Sequence, residues 1–225
     1  MSGWHSRGYV PHFDGEDMIQ HITFHLEDSL PQEAIARMQR ELDVLPEEQR
    51  PKEQRQRIQN LLDAGRGSCI LRRDECAGIV QDSLLFGDGT RYRLLAWVIM
   101  PNHVHVLIQQ NGFPLAKIVQ SWKRHTSREI HRLGSPSCTR LVVNSSRVQL
   151  GDTREILGLW QREYWDRYIR DERHFLTTKS YIEQNPVKAG LVKDVRDWLW
   201  GNVGWENYLR ETAECNSAIP GEQPS

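Results

Sequence analysis

Two histidines one residue apart, His103 and His105, follow a Pro101-Asn102 turn and open an apolar run that ends at Ile108. Side chains alternate along a strand, so both imidazoles leave the same face, about 6–7 Å apart, while Val104, Val106 and Ile108 point into a core. A pair of imidazoles on one rigid strand is half of a metal site. Downstream, His174, Thr178, Tyr181 and Asn185 recur at helical spacing and share one helix face. Tyr181 and Asn185 stand one turn apart there, about 5–6 Å. Imidazoles with an amide or carboxylate oxygen suit Mg²⁺ or Mn²⁺, with water and a substrate phosphate in the other positions. No CxxC pair and no third clustered histidine points to structural zinc. Each residue also has a plain reading. An HxH on a strand can be a partly exposed pair, and a tyrosine on a helix can be an amphipathic packing residue. Asn185 precedes Pro186, where asparagine is a common helix stop, so ligand and cap stand level.

These residues need elements to hold them. MIQHITFHL, residues 18–26, alternates and predicts a first strand whose His21 and His25 could line an open sheet face. Residues 31–66 are charged with both signs and predict a helical insertion, two amphipathic helices separated by Pro46 and Pro51. Arg72–Leu85 has helical apolar spacing, and Asp88-Gly89 is a turn. Tyr92–Met100 is a nearly continuous apolar run, a buried strand that returns as His103–Gln110 through Pro101-Asn102, with Asn at the second corner. Pro114–Leu133 predicts a long helix, residues 134–157 an irregular loop, and Trp160–Arg170 a fourth strand. Asp171 caps a further helix that stops at Pro186. The order strand-helix-strand-strand-helix-strand predicts an α+β, ferredoxin-like antiparallel sheet (βαββαβ) with two helices on one face. The extra helix carrying Tyr181 is left for the other face. Residues 1–16 read as an ordered arm, neither helix nor strand, and 211–225 as a disordered tail, leaving one domain over 1–210.

Composition narrows the partners. A net charge of −1 means that any polyanion must be held by a local patch. The helix after Pro114 offers one, with Lys117, Lys123, Arg124, Arg128 and Arg132 against a single acid, Glu129. Such a face could contact backbone phosphates, and most such faces are simply solvated. Lys188, near the tyrosine, is a phosphate contact or a loop charge. Arg7–Phe13 is a candidate recognition segment, or an arm packed on the sheet. The cysteines read as reduced thiols. The absence of an apolar signal core and of any run near ~18 apolar residues predicts a cytoplasmic protein off the membrane.

The Met100–His105 turn resembles the histidine-hydrophobe-histidine motif of the HUH single-tyrosine transposases. Tyr181–Gly190 (YIEQNPVKAG) resembles their tyrosine motif, most closely that of the REP-associated branch, as do Trp160-Gln161 and Tyr164–Arg167. The resemblance covers about residues 14–205 and keeps the family's order of elements. The insertion and the 134–157 loop lie outside the minimal pattern. The resemblance implies a divalent cation, Mg²⁺ or Mn²⁺, on His103 and His105 with Asn185 as third ligand. It implies attack by Tyr181 on single-stranded or hairpin DNA from repetitive extragenic palindromes, in a nucleoid-associated monomer or homodimer. The rival readings are a noncatalytic single-stranded nucleic-acid binder on the same sheet, and a metal-dependent hydrolase without a role for Tyr181.

Overall fold

A computed structural model describes residues 4–6, 11–13, 18–133 and 158–217. The expected loop at 134–157 and the last eight residues of the expected tail lie outside them. Strand β1 (Trp4–Ser6) pairs antiparallel with β2 (Pro11–Phe13), where the sequence predicts neither helix nor strand. Three residues are too few for alternation to show.

The main sheet joins β3 (Ile19–His25), β4 (Tyr92–Ile99), β5 (His103–Gln110) and β6 (Trp165–Tyr168). Its order is β4-β5-β3-β6 and every pairing is antiparallel. With α3 (Asp74–Phe86) between β3 and β4, and α4 (Leu115–Arg132) between β5 and β6, this is the expected ferredoxin-like βαββαβ arrangement. The fourth strand is shorter than the predicted 160–170. Only an isolated bridge, Leu26 to Trp160, precedes it.

Alternation gives the sheet two faces. Ile22, Phe24, Val104, Val106, Ile108, Trp97 and Ile99 meet α3 and α4, whose Val80, Leu84, Ile118 and Trp122 complete the larger core. Polar atoms inside it are matched: Trp122 Nε1 donates to the Tyr92 hydroxyl, which donates to the Leu84 carbonyl. The opposite face carries His21, Thr23 and His25 of β3 beside Leu107, His105 and His103 of β5. Helix α5 (Glu172–Lys188) lies over that face, packing Ile182 and Phe175 against Ala96, Val98, Met100 and Leu107.

The insertion forms α1 (Gln32–Asp43) and α2 (Arg50–Asp63). Pro46 separates them. Pro51 sits in the first turn of α2, where its missing N–H breaks no helical bond, so it is not a separator. The hairpin buries Met38, Leu42, Ile58 and Leu62, and this small core meets Trp165 of β6. The inserted helices therefore rest against the end of the sheet on the histidine side.

Two boundaries differ from expectation. Helix α5 does not stop at Pro186 but runs to Lys188. Proline forfeits only one bond this close to the end, and the stop is Gly190 at φ +69°. The Gly190 N–H meets the Val187 carbonyl and the Leu191 N–H the Pro186 carbonyl, a Schellman closure. Asn185 is therefore inside the helix and does not cap it. At the C-terminus, α6 (Asn202–Ser217) continues past Glu211, where a disordered tail was expected. The tryptophan-rich approach to α6 closes the outer edge of β4: the Ile99 N–H donates to the Trp200 carbonyl (2.7 Å) and Trp198 Nε1 to the Ile99 carbonyl (3.1 Å).

Candidate active site

His103 and His105 are fully buried, with ring centroids 4.8 Å apart. Their hydrogen bonds settle which nitrogens face the site. Asn102 Nδ2 donates to the Arg66 carbonyl (2.9 Å), so its Oδ1 accepts from His103 Nδ1 (2.7 Å). His103 Nε2 then carries a lone pair, buried and without a hydrogen-bond partner. His105 follows the same logic. Its Nε2 accepts from the Gln59 amide (3.3 Å), so its Nδ1 carries the proton toward Thr23 Oγ1 (2.9 Å), with His21 Nε2 at 3.2 Å. Outer partners that fix the tautomer in this way are typical of metal-binding histidines. Asn102 was expected at the second corner of the turn. Cys69 is the only non-glycine among the described residues with positive φ, so Asn102 contributes instead through its side chain.

Tyr181 projects from α5 onto this pair. Its ring meets His105 edge-on with centroids 5.5 Å apart, and His21 at 6.2 Å. Lys188 Nζ lies 4.9 Å from the ring centroid. The Tyr181 hydroxyl is buried without a partner, as are both amide atoms of Asn185. Burial, and next the Asp63 carboxylate, push the phenol well above its usual range. Unsatisfied buried polar atoms each cost roughly 1–3 kcal/mol and cluster where a ligand belongs. The lone pair of His103, the amide oxygen of Asn185 and the imidazole of His105 form a donor set that fits a divalent cation. Among the described residues, no group of three or more His, Cys, Asp or Glu is already closed around an ion-sized point.

Burial sets the charge state. Desolvation lowers His21 and His25 to about 4 and His103 to about 3, and takes His105 well below its ordinary value. The unfolded chain therefore takes up protons first on acidification, near pH 6.5. The stability due to neutral imidazoles is complete above that pH and is lost as pH falls toward 4 to 3. The urea midpoint of the metal-free protein is expected to drop steadily between pH 7 and pH 5. A flat profile there would mean that these imidazoles are not buried neutral.

Residues 86–185 match the family described as Transposase IS200 like, a stretch holding the turn before His103, both histidines, Tyr181 and Asn185. The chain is similar to a putative REP-associated tyrosine transposase of Haemophilus influenzae, 30% identical over 113 residues, covering 49% of this chain and 58% of that protein. It is also similar to the REP-associated tyrosine transposase of Escherichia coli K12, 26% identical over 109 residues, covering 48% and 52%. The chain thus spans about half the length of the curated relatives it matches. A solved structure of a REP-associated tyrosine transposase bound to a REP hairpin aligns over 98% of this chain and 92% of that one, with TM-score 0.47 and 16% identity.

The residues expected to contact DNA separate. Lys188 stands at the tyrosine. Lys117, Arg124, Arg128 and Arg132 are exposed on α4, on the far side of the sheet from the histidines, and Arg128 and Arg132 pair with Glu129. Lys123 does not belong with them. It is buried, and its Nζ donates to the carbonyls of Gln161 (2.8 Å), Arg162 (3.2 Å) and Glu163 (3.0 Å). Its amphipathic helix turns it inward to tie α4 to the approach of β6. Lys123→Met is expected to cost roughly 2–4 kcal/mol, since three carbonyls lose a charged donor. A melting curve reads the loss, and the salt dependence of DNA binding should not change.

Two site residues escaped sequence reasoning. Gln59 Nε2 reaches His105, and Asp63 Oδ1 lies 3.6 Å from His103 Nε2. Both come from α2, outside the matched stretch. Their spacing of four residues on a charged helix carries no mark that separates them from a solvated face. Thr23 and His21 were within reach, because alternation along β3 places them beside His105.

Proposed function

We propose that this chain breaks and rejoins single-stranded DNA through a covalent link to Tyr181, acting on hairpin-forming palindromic DNA. The observation that carries the reading is the placement of Tyr181 against His105, its hydroxyl buried and unpartnered, on the sheet face that also holds the unpartnered Nε2 of His103. The transposase match over both motifs supports the reaction class, and the names of the curated relatives support a palindromic target.

The Tyr181 oxygen attacks the scissile phosphorus in line. The Oη–P bond forms as the P–O3′ bond breaks, giving a 5′-phosphotyrosine and a free 3′-hydroxyl. The phenol gives up its proton and the leaving 3′-oxygen gains one. Lys188, over the ring, opposes the charge that the phenol develops. His103 and His105, held by Asn102 and Thr23, would bind a divalent cation with the oxygen of Asn185. When bound, that cation supplies the positive charge that polarises the phosphate and stabilises the leaving oxygen. A second 3′-hydroxyl reverses the step, so the phosphodiester energy is kept and strands are joined without a nucleotide cofactor.

The sheet also speaks against a noncatalytic binder. Single-strand recognition on such sheets uses exposed aromatics on central strands. Here the central strands present buried histidines beneath α5. The test is a single-stranded hairpin oligonucleotide, labelled at either end, incubated with Mg²⁺. Only the fragment 3′ to the break should become attached to protein in SDS gels. Attachment of the other fragment, or cleavage without any attachment, would defeat the proposal.

A further inference from the structure

The insertion between β3 and α3 reaches the centre of the site. The amide nitrogen of Gln59 donates to Asp63 Oδ1 at 2.7 Å and to His105 Nε2 at 3.3 Å. The same Asp63 oxygen lies 3.6 Å from His103 Nε2. Three electron-pair donors, one carboxylate oxygen and two imidazole nitrogens, thus gather around one small region. The positive partial charge of the Gln59 N–H stands among them, and the Lys188 ammonium acts on Asp63 without a contact to either imidazole nitrogen among the described residues. Acceptors repel one another, and in a buried place such a gathering is costly unless a cation answers it.

Charge argues in the same direction. Two neutral imidazoles and the Asn185 amide give a donor set with no formal charge. Mg²⁺ sheds its water reluctantly and is normally held by at least one carboxylate. Neighbouring ligands of an octahedral Mg²⁺ stand about 3 Å apart, since each bond is about 2.1 Å. Asp63 and His103 are a small side-chain adjustment from that separation. Asp63 is the last residue of α2 and is partly exposed, so it can make the adjustment without disturbing the core of the insertion.

We infer that Asp63 is a ligand of the divalent cation bound by His103 and His105, so that the inserted helix α2 is part of the metal site. Gln59 occupies the cation's side of His105 when no cation is bound and gives way when one arrives. The inference rests on the metal-dependent reading above, and it adds a ligand from outside the matched transposase stretch.

Mn²⁺ binding to the full chain, followed by the loss of the free-ion EPR signal, tests it. Asp63→Ala is expected to weaken Mn²⁺ at least about 10-fold, and Asp63→Asn less, because the oxygen remains while the charge is gone. Gln59→Ala should bind as tightly as wild type or tighter. His103→Ala should abolish binding. Melting without metal separates ligation from structure. Asp63→Ala should melt with the wild type there, yet lose most of the rise that Mn²⁺ gives the wild type. If Asp63→Ala stays within about twofold of wild type while His103→Ala loses the ion, Asp63 is not a ligand and the histidine site stands. If the wild type takes up no Mn²⁺, the metal reading falls and the inference falls with it.

Discussion

Tyr181→Phe is expected to bind hairpin DNA as the wild type does and to form no covalent adduct, with cleavage slower by about 10⁴-fold or more. The substitution removes one oxygen, which in the proposed reaction is the nucleophile itself. A factor of that size corresponds to about 5 kcal/mol of barrier. Folding should not suffer. The hydroxyl is buried and makes no close hydrogen bond, so its removal costs little and relieves a desolvated polar atom. Phenylalanine keeps the edge-on contacts with His105 and His21. The melting temperature should therefore equal or slightly exceed that of the wild type. This combination of retained fold, retained binding and lost adduct is what a nucleophile predicts. A tyrosine that only packs would keep its stability and its chemistry alike when changed to phenylalanine. Normal cleavage by the Phe variant would remove Tyr181 from the mechanism.

His105→Ala is expected to lose both chemistry and stability. Cleavage should fall by about 10³-fold, in the range found when a group that stabilises transition-state charge is removed. Stability should fall by about 3 kcal/mol, because a fully buried ring is replaced by a cavity and Thr23 and Gln59 lose their partner. Activity must therefore be measured per folded molecule, well below the melting temperature. The two losses then separate. A variant that is destabilised but cuts normally would place His105 in the packing alone. Isothermal titration with Mn²⁺ gives the companion result, which should show no saturable binding.

Both variants probe residues whose spacing is informative in the sequence alone. Strand alternation put His103 and His105 on one face, and helical periodicity put Tyr181 and Asn185 on another. The order of elements left one helix for the second side of the sheet, and its docking on the histidine face, which spacing permits without requiring, is supplied by the packing of α5. What was not legible has specific causes. Lys123 is one charge among five on α4, and periodicity alone does not reveal that three carbonyls wait for it. Pro186 suggested a stop, whereas a proline in the final turn forfeits little and Gly190 ends the helix. Asn102 was read for its backbone, yet its amide fixes the tautomer of His103. Gln59 and Asp63 belong to a segment whose charge pattern describes its solvated side. Which residues face the sheet depends on how the hairpin docks, through Leu62 and Trp165, and that is a tertiary fact.

The position of the insertion also bears on how the chain reaches this state. β3 and β5 are the central strands, and the contact of His21 with His105 closes a loop of 84 residues. Closing a loop costs entropy that grows with the logarithm of its free length, and distant pairings slow folding. The α1–α2 hairpin lies within that loop and is built from near neighbours, as is α3. Each can form before the strands meet and shortens the flexible chain between them. A substitution that unravels α2 would then slow the pairing of β3 with β5 as well as withdraw Asp63. The assembled site and the speed of reaching it are linked through the same fourteen-residue helix.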